Sequence, residues 1–233
     1  MKVFVNIKKL LQTTEKNPKR ALSGTELFWD GSVDNAYLIV SEDRIAGFGK
    51  MEDLHDKLGE LSRNEGFNEE KIETFDVRGR MILPAFCDSH THLVYAGSRE
   101  QEFVDKVKGL SYKEIAKRGG GILNSAKLLH ETSEDELFCQ ALVRANEIMC
   151  FGTGAVEIKS GYGLNTEDEI KMLRVAKRIG EETPLTVKTT FLGAHAVPGR
   201  YAGNREGYVD EIIGEMIPEI ASLKLADYID CFY

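Results

Sequence analysis

The sequence predicts an α/β protein with a parallel sheet, preceded by a small β-rich unit, and three observations predict it. From about residue 81 to residue 233, apolar strand-like runs alternate with amphipathic helical segments. Residues 1–80 hold only short β-rich runs divided by turns and a charged loop. His90, His92, Tyr162 and His195 each fall at or just after the end of a strand-like run. Alternation of this kind argues for right-handed crossovers between parallel strands. A doubly wound open sheet and a (β/α) barrel both fit, and the carboxyl ends of strands are the face on which barrels carry their sites.

The elements follow in order. "KVFVNIKKL" opens the first unit, and in "NAYLIVSEDRIAGFG" two β-rich runs flank the polar turn "SED", a hairpin signal. "SRNEGFNEEK" reads as a surface loop and "IETFDVRGRMIL" as a further strand of an antiparallel β unit. The second unit starts with "RMILPAFCDSH", a buried-strand candidate, followed by a long loop and helical segment over residues 98–130. In "SEDELFCQALVRANEIM" Ser133 and Glu136 make a capping box at the start of a helix. "TGAVEIKSGYG" is the second strand with its exit loop. "TEDEIKMLRVAKRIG" is the next helix, opened by Thr166 with Glu169 and closed by Gly180. "PLTVKTTFLGAH" gives a third strand, "REGYVDEIIGEMIPEIAS" a helix and "ADYIDCFY" a fourth strand.

Four β/α units make half of a barrel. A half barrel leaves two unpaired edges and an exposed apolar interior, so the expectation is an amino-terminal fragment of a longer protein, with residues 1–80 part of a small β domain and 81–233 the incomplete barrel.

Composition narrows the function. With 42% hydrophobic residues the chain can bury a substantial core, and its formal net charge is −8 with Lys and Arg scattered. That charge disfavours nucleic acid and anionic membranes as partners. The four cysteines have no CxxC spacing, which excludes a thiolate zinc site and a disulfide framework and suits a reducing compartment. The amino terminus has no long apolar stretch, so the expected location is cytoplasmic. No GxGxxG follows a first strand, and "RGGGI" lacks the GK[ST] ending of a phosphate loop.

The chemistry sits in a handful of residues. His90 and His92 are two apart at a strand end, where alternate side chains share a side, and two neutral imidazoles there can reach one metal ion. The plainer alternative is a pair of surface histidines. Arg99, in "YAGSRE", offers a guanidinium for a carboxylate, or for a salt bridge with Glu100 or Glu102. Tyr162 stands between two glycines in "KSGYGL", poorly placed for a core and suited to contact a ligand. Tyr112 reads as helix packing. His195, in "LGAHAVP", is either a structural histidine or one that binds a ligand or shuttles a proton. Lys159 reads as a strand-end ion pair rather than a catalytic or modified lysine.

"LPAFCDSHTHLVYAGSRE" resembles the metal-binding first strand of the amidohydrolase superfamily. Together with "SREQEF", "SYKEIAKRGGGI", "VEIKSGYGL", "LRVAK" and "TFLGAHAVP" it is similar, more narrowly, to the imidazolonepropionase family, from about residue 30 to residue 233. The resemblance implies the first half of a (β/α)8 TIM-type barrel preceded by part of a small β-sandwich domain. It implies hydrolysis of 4-imidazolone-5-propanoate to N-formimidoyl-L-glutamate, a step of histidine degradation, by attack of a metal-bound water on the cyclic amide. It further implies one Zn2+ or Fe3+ ion held by His90 and His92, with the remaining ligands beyond residue 233. By the same carry-over Arg99 holds the substrate's carboxylate, Tyr112, Tyr162 and His195 contact the substrate, and His195 has a catalytic role. The expected partner is therefore a small anionic heterocycle, in a protein that is homodimeric in many family members. Competing readings are another cyclic-amide hydrolase or heterocycle deaminase of the superfamily, or a non-enzymatic truncated remnant.

Overall fold

The structure is a computed structural model that describes residues 1–11, 23–28, 31–65, 72–98, 100–111, 114 and 121–232. It divides into two compact units, Met1–Pro84 and Ala85–Tyr233.

In the first unit β1 (Lys2–Leu10), β2 (Val33–Ser41) and β3 (Arg44–Lys50) form an antiparallel meander. The expected hairpin is present: Ser41 pairs with Arg44 across the turn. Two later strands, β4 (Glu73–Asp76) and β5 (Met81–Ile82), both pair with β1 in parallel, so the sheet is mixed rather than antiparallel. The connection back from β3 explains the direction. It contains helix α1 (Leu54–Glu65), and a crossover of that length returns the chain to its starting edge. Leu61 of α1 joins Val3, Tyr37 and Ile39 in a core on one face of the sheet.

The run "RMILPAFCDSH" is two strands, not one. Met81 and Ile82 belong to the first sheet, and β6 (Phe86–Thr91) begins the second after Pro84, which has no N–H to continue a ladder. The expectation of a buried strand also fails for β6, whose first five residues are exposed, because β6 lies at the edge of its sheet.

The second unit holds a curled sheet of four parallel strands in the order β6, β7 (Thr153–Lys159), β8 (Thr186–Ala194), β9 (Tyr228–Cys231). The order follows the chain, as consecutive right-handed β/α units require. Helices α2 (Glu100–Val107), α3 (Ile122–Glu131) and α4 (Glu134–Cys150) connect β6 to β7. Helix α5 (Thr166–Glu182) connects β7 to β8. The last crossover is α6 (Arg205–Glu211), a π-helical turn at Ile212–Met216, and α7 (Ile217–Ser222).

Strand alternation separates two faces. Val156 and Ile158 of β7 point into a core with Leu137 and Ala141 of α4 and Met172, Val175 and Ile179 of α5. Phe191 of β8 joins Leu173, Tyr208, Met216 and Ile220 in a second core. The other face lines a groove of about 400 Å3 with Cys87, Ala155, Glu157, Lys159, Thr190 and Asp230 among its walls.

Helix termini follow local chemistry, with two corrections. Ser133 caps α4 as expected, its hydroxyl accepting from the Glu136 amide at 3.2 Å. For α5 the cap is Asn165, whose side chain accepts from Asp168 N at 2.9 Å, and not Thr166. Nor does Gly180 end α5, which continues to Glu182. Glycine is there for contact: a Cβ at position 180 would stand 3.1 Å from Val187 Cβ, so its absence lets the helix lie close on β8.

Ile158, fully buried under α4 and α5, tests this packing. Replacing it with Ala is expected to lower the unfolding free energy by about 2–5 kcal/mol in denaturant titration. A loss below about 1 kcal/mol would show that β7 is not anchored by this face.

Candidate active site

The site is built by three strand ends. His90 is the fifth residue of β6, and His92 follows the strand's last residue, Thr91. Thr91 is tied to β7, its hydroxyl donating to Glu157 O at 2.6 Å, so the chain between the two histidines is fixed to its neighbour. The backbone amide of His90 donates to the Asp88 carboxylate at 3.2 Å. Beyond His92, Arg144 of α4 holds the exit loop by donating to Leu93 O and Tyr95 O at 3.1 and 3.0 Å, with its guanidinium stacked 3.5 Å from the Tyr95 ring centre.

His92 is the hub. Its ring centre is 6.0 Å from that of His90, 5.1 Å from that of Tyr162 and 5.1 Å from that of His195, with which it is nearly parallel. Tyr162 and His195 are 5.4 Å apart. Parallel strands rise together, so residues after β6, β7 and β8 meet although they are distant in sequence. The structure thus brings together four of the six residues singled out from the sequence. The other two, Arg99 and Tyr112, lie outside the described residues.

The electrostatics favour neutral imidazole at the hub. Burial holds the His92 pKa down, and the neighbouring His195, His90 and Lys159 add to it, to about 4. His92 Nδ1 is buried without a hydrogen-bond partner. A desolvated nitrogen with no protein partner is costly unless something else occupies it. A neutral imidazole nitrogen of this kind fits a metal ion. Among the described residues no group of three or more His, Cys, Asp or Glu is arranged to hold a metal, so an ion at His90 and His92 would need donors besides these two.

Behind the histidines lies an ion cluster that the sequence half disclosed. Lys159 Nζ donates to Glu157 Oε1 at 2.8 Å and to Asp230 Oδ2 at 2.9 Å, with 7% of its side chain exposed. Burial pulls its pKa down, but the two carboxylates outweigh that and raise it, so Lys159 is a charged structural pair, as the strand-end reading expects. Glu157 is visible two residues away. Asp230 is not, because only the pairing of β8 with β9 brings it in. Sequence reasoning also missed Glu169, treated there as a capping residue. It is wholly buried, and its carboxylate accepts from Gly161 N, Gly163 N and Leu164 N at 2.9, 2.8 and 2.9 Å. The signal that could have found it is an acid on the first turn of a helix directly after a glycine loop. His195 Nδ1 lies 2.9 Å from Gly161 O.

No family model matches the chain. A crystal structure of a mutant atrazine chlorohydrolase from Arthrobacter aurescens TC1, complexed with zinc and atraton, superposes with a TM-score of 0.51 at 13% identity, over 92% of this chain and 42% of that one. At that identity the likeness concerns the fold. The curled parallel sheet, with its unusual polar residues at the strands' carboxyl ends, is the architecture of the first half of a (β/α) barrel. Sequence comparison is narrower. The chain is 53% identical over 227 residues to an imidazolonepropionase of Flavobacterium johnsoniae, and 50% identical over 230 residues to one of Flavobacterium psychrophilum. These alignments take in 97% and 99% of this chain and 52% and 53% of theirs. The chain is similar to these imidazolonepropionases along nearly all of its own length, and it spans about half the length of the curated relatives it matches.

The depressed His92 pKa has a signed consequence. Between its ordinary value of 6.5 and about 4, the unfolded chain binds a proton that the folded chain refuses. That part of the stability is present above pH 6.5 and is lost as the pH falls to about 4. In metal-free buffer, urea midpoints across this window should therefore fall more steeply for the wild type than for His92→Asn. Equal slopes would show that folding does not hold His92 neutral.

Proposed function

We propose that the whole protein is an imidazolonepropionase, a cyclic-amide hydrolase that converts 4-imidazolone-5-propanoate to N-formimidoyl-L-glutamate. The observation that carries the reading is the convergence of His90, His92, Tyr162 and His195 on one rim of the sheet, in a chain half identical to imidazolonepropionases.

His90 and His92 would hold one Zn2+ or Fe3+ ion, with further ligands from residues beyond 233. Once bound, such an ion supplies Lewis acidity and an activated water. The protein's own groups do the rest. His92, held neutral at working pH by its burial, keeps a lone pair for the ion. Tyr162, half-buried between buried glycines, presents its ring toward His92 and His195, where it can orient a small heterocycle. His195 Nδ1 faces a carbonyl oxygen, which can only accept, so Nδ1 carries the proton and Nε2 is the basic nitrogen. During hydrolysis a C–O bond forms, the ring C–N bond breaks and a proton passes to the leaving nitrogen. Nε2 is suited to hold that proton between the two events. Arg99 would bind the propionate carboxylate as a bidentate partner. No described helix is long and apolar enough to cross a membrane. A cytoplasmic location accords with four exposed cysteines that are all free thiols.

Ring opening of 4-imidazolone-5-propanoate by the full-length protein, followed by the loss of its ultraviolet absorbance, tests the reading. Turnover of a hydantoin or dihydroorotate in its place would assign a different cyclic-amide hydrolase. Arg99→Met should raise KM about 10-fold to 100-fold with a small change in kcat, the mark of uniform binding. If neither constant moves, Arg99 is not at the site. Residues 1–233 by themselves, with two imidazole donors, are expected to show no turnover, and measurable turnover would overturn the ligand assignment.

A further inference from the structure

We infer that Glu169 is a positioning residue that sets both the presentation of Tyr162 and the tautomer of His195. The geometry is a clamp. Glu169 Oε2 accepts from Gly161 N, and Oε1 accepts from Gly163 N and Leu164 N. A further bond comes from the buried Ser160 hydroxyl, which itself accepts from Leu192 N of β8 at 3.0 Å. One carboxylate on the first turn of α5 therefore gathers the backbone of residues 160–164 and ties it to the strand that ends at His195.

Two features give this clamp consequences beyond packing. Ser160, Gly161, Gly163 and Leu164 are all buried, whereas Tyr162 among the five is half-exposed, and the clamp fixes the backbone from which its ring projects. Gly161 is engaged through both of its backbone groups, which lie in successive peptide units. Its N–H donates to Glu169, while its carbonyl, 2.9 Å from His195 Nδ1, is placed to accept an N–H from the imidazole. Gly161 adopts φ +109°, and a Cβ there would stand 2.9 Å from Leu192 O and 3.0 Å from His195 Nδ1. The loop thus approaches His195 more closely than a side chain would allow. Removing the carboxylate leaves three buried N–H groups unpaired, a cost relieved by turning the loop toward water, which takes the Gly161 carbonyl away from His195. The inference rests on the proposed function for the uses of Tyr162 and His195, but the tautomer does not.

The test is the long-range proton–nitrogen spectrum of the histidine rings in nitrogen-15-labelled full chain, with His195 assigned by the signals lost in His195→Gln. In the wild type at neutral pH, His195 should show a protonated Nδ1 and a bare Nε2. The opposite tautomer would overturn the inference without any Glu169 variant. Glu169→Gln keeps the shape of the side chain but turns a donor group toward backbone donors. It should move the His195 signals toward a mixture of tautomers and lower kcat about 10-fold to 100-fold, the scale of a misplacement near 1 Å, with a smaller change in KM. Ser160→Ala removes one donor, leaves the carboxylate in place and serves if Glu169→Gln does not fold. It should shift the same signals in the same direction by a smaller amount. If the variants that fold lose thermal stability while the His195 spectrum stays as in the wild type, Glu169 is merely structural and the inference fails. A shifted spectrum in a protein that does not open imidazolonepropionate would sink the proposed function alone.

Discussion

The parallel pairing of β6, β7 and β8 is the constraint on which the rest of this structure depends. Parallel strands must each be followed by a crossover, so their carboxyl ends all lie on one rim and the loops leaving that rim meet. His92, Tyr162 and His195 are separated by 70 and 33 residues in the chain, yet their rings lie within 5.4 Å of one another. What holds the pairing is the apolar alternate face, Val156 and Ile158 against α4 and α5 and Phe191 against the last crossover. The face left over carries Glu157, Lys159, Thr190 and Asp230. One alternation thus separates the core from the chemistry.

A site of this kind needs polar groups where apolar packing would be simpler, and the structure satisfies them in two ways. Lys159, nearly buried, is matched by two carboxylates, and Glu169, wholly buried, by backbone N–H groups and a hydroxyl. Removing one partner from such a set leaves an uncompensated charge or donor, which costs more than the set is worth as a whole. The strand-end cluster and the loop clamp are therefore hard to alter piecemeal. His92 is different. Its Nδ1 has no partner within the protein, the one described buried side-chain nitrogen or oxygen in that condition. Among the described residues every other buried side-chain nitrogen or oxygen has a partner, and His92 Nδ1 is the atom we propose for a metal ion.

Much of this was legible because it is local. The hairpin at "SED", the Ser133 cap and the order of strands and helices follow from short-range chemistry. The convergence of His90, His92, Tyr162 and His195 was legible for a topological reason, since strand ends in a parallel sheet share a rim. The errors are just as specific. Thr166 with Glu169 satisfies the capping-box pattern, but Asn165 one residue earlier takes the cap, and Glu169 finds three loop amides. Gly180 resembles a helix stop, but the helix needs it as a gap opposite Val187. "RMILPAF" reads as one buried strand, but Pro84 divides it between two sheets and leaves β6 at an edge.

By itself the sequence determined the alternation of elements, their apolar faces and the strand-end placement of the histidines, because each depends on residues a few positions apart. Only the tertiary structure decided which neighbour each polar group would meet. Asp230 reaches Lys159 across β8, and Gly161 turns its carbonyl to His195 while its amide meets Glu169. Those partners are chosen by strand register and by the space between packed helices. Such contacts join positions far apart in the chain, and no local pattern encodes them.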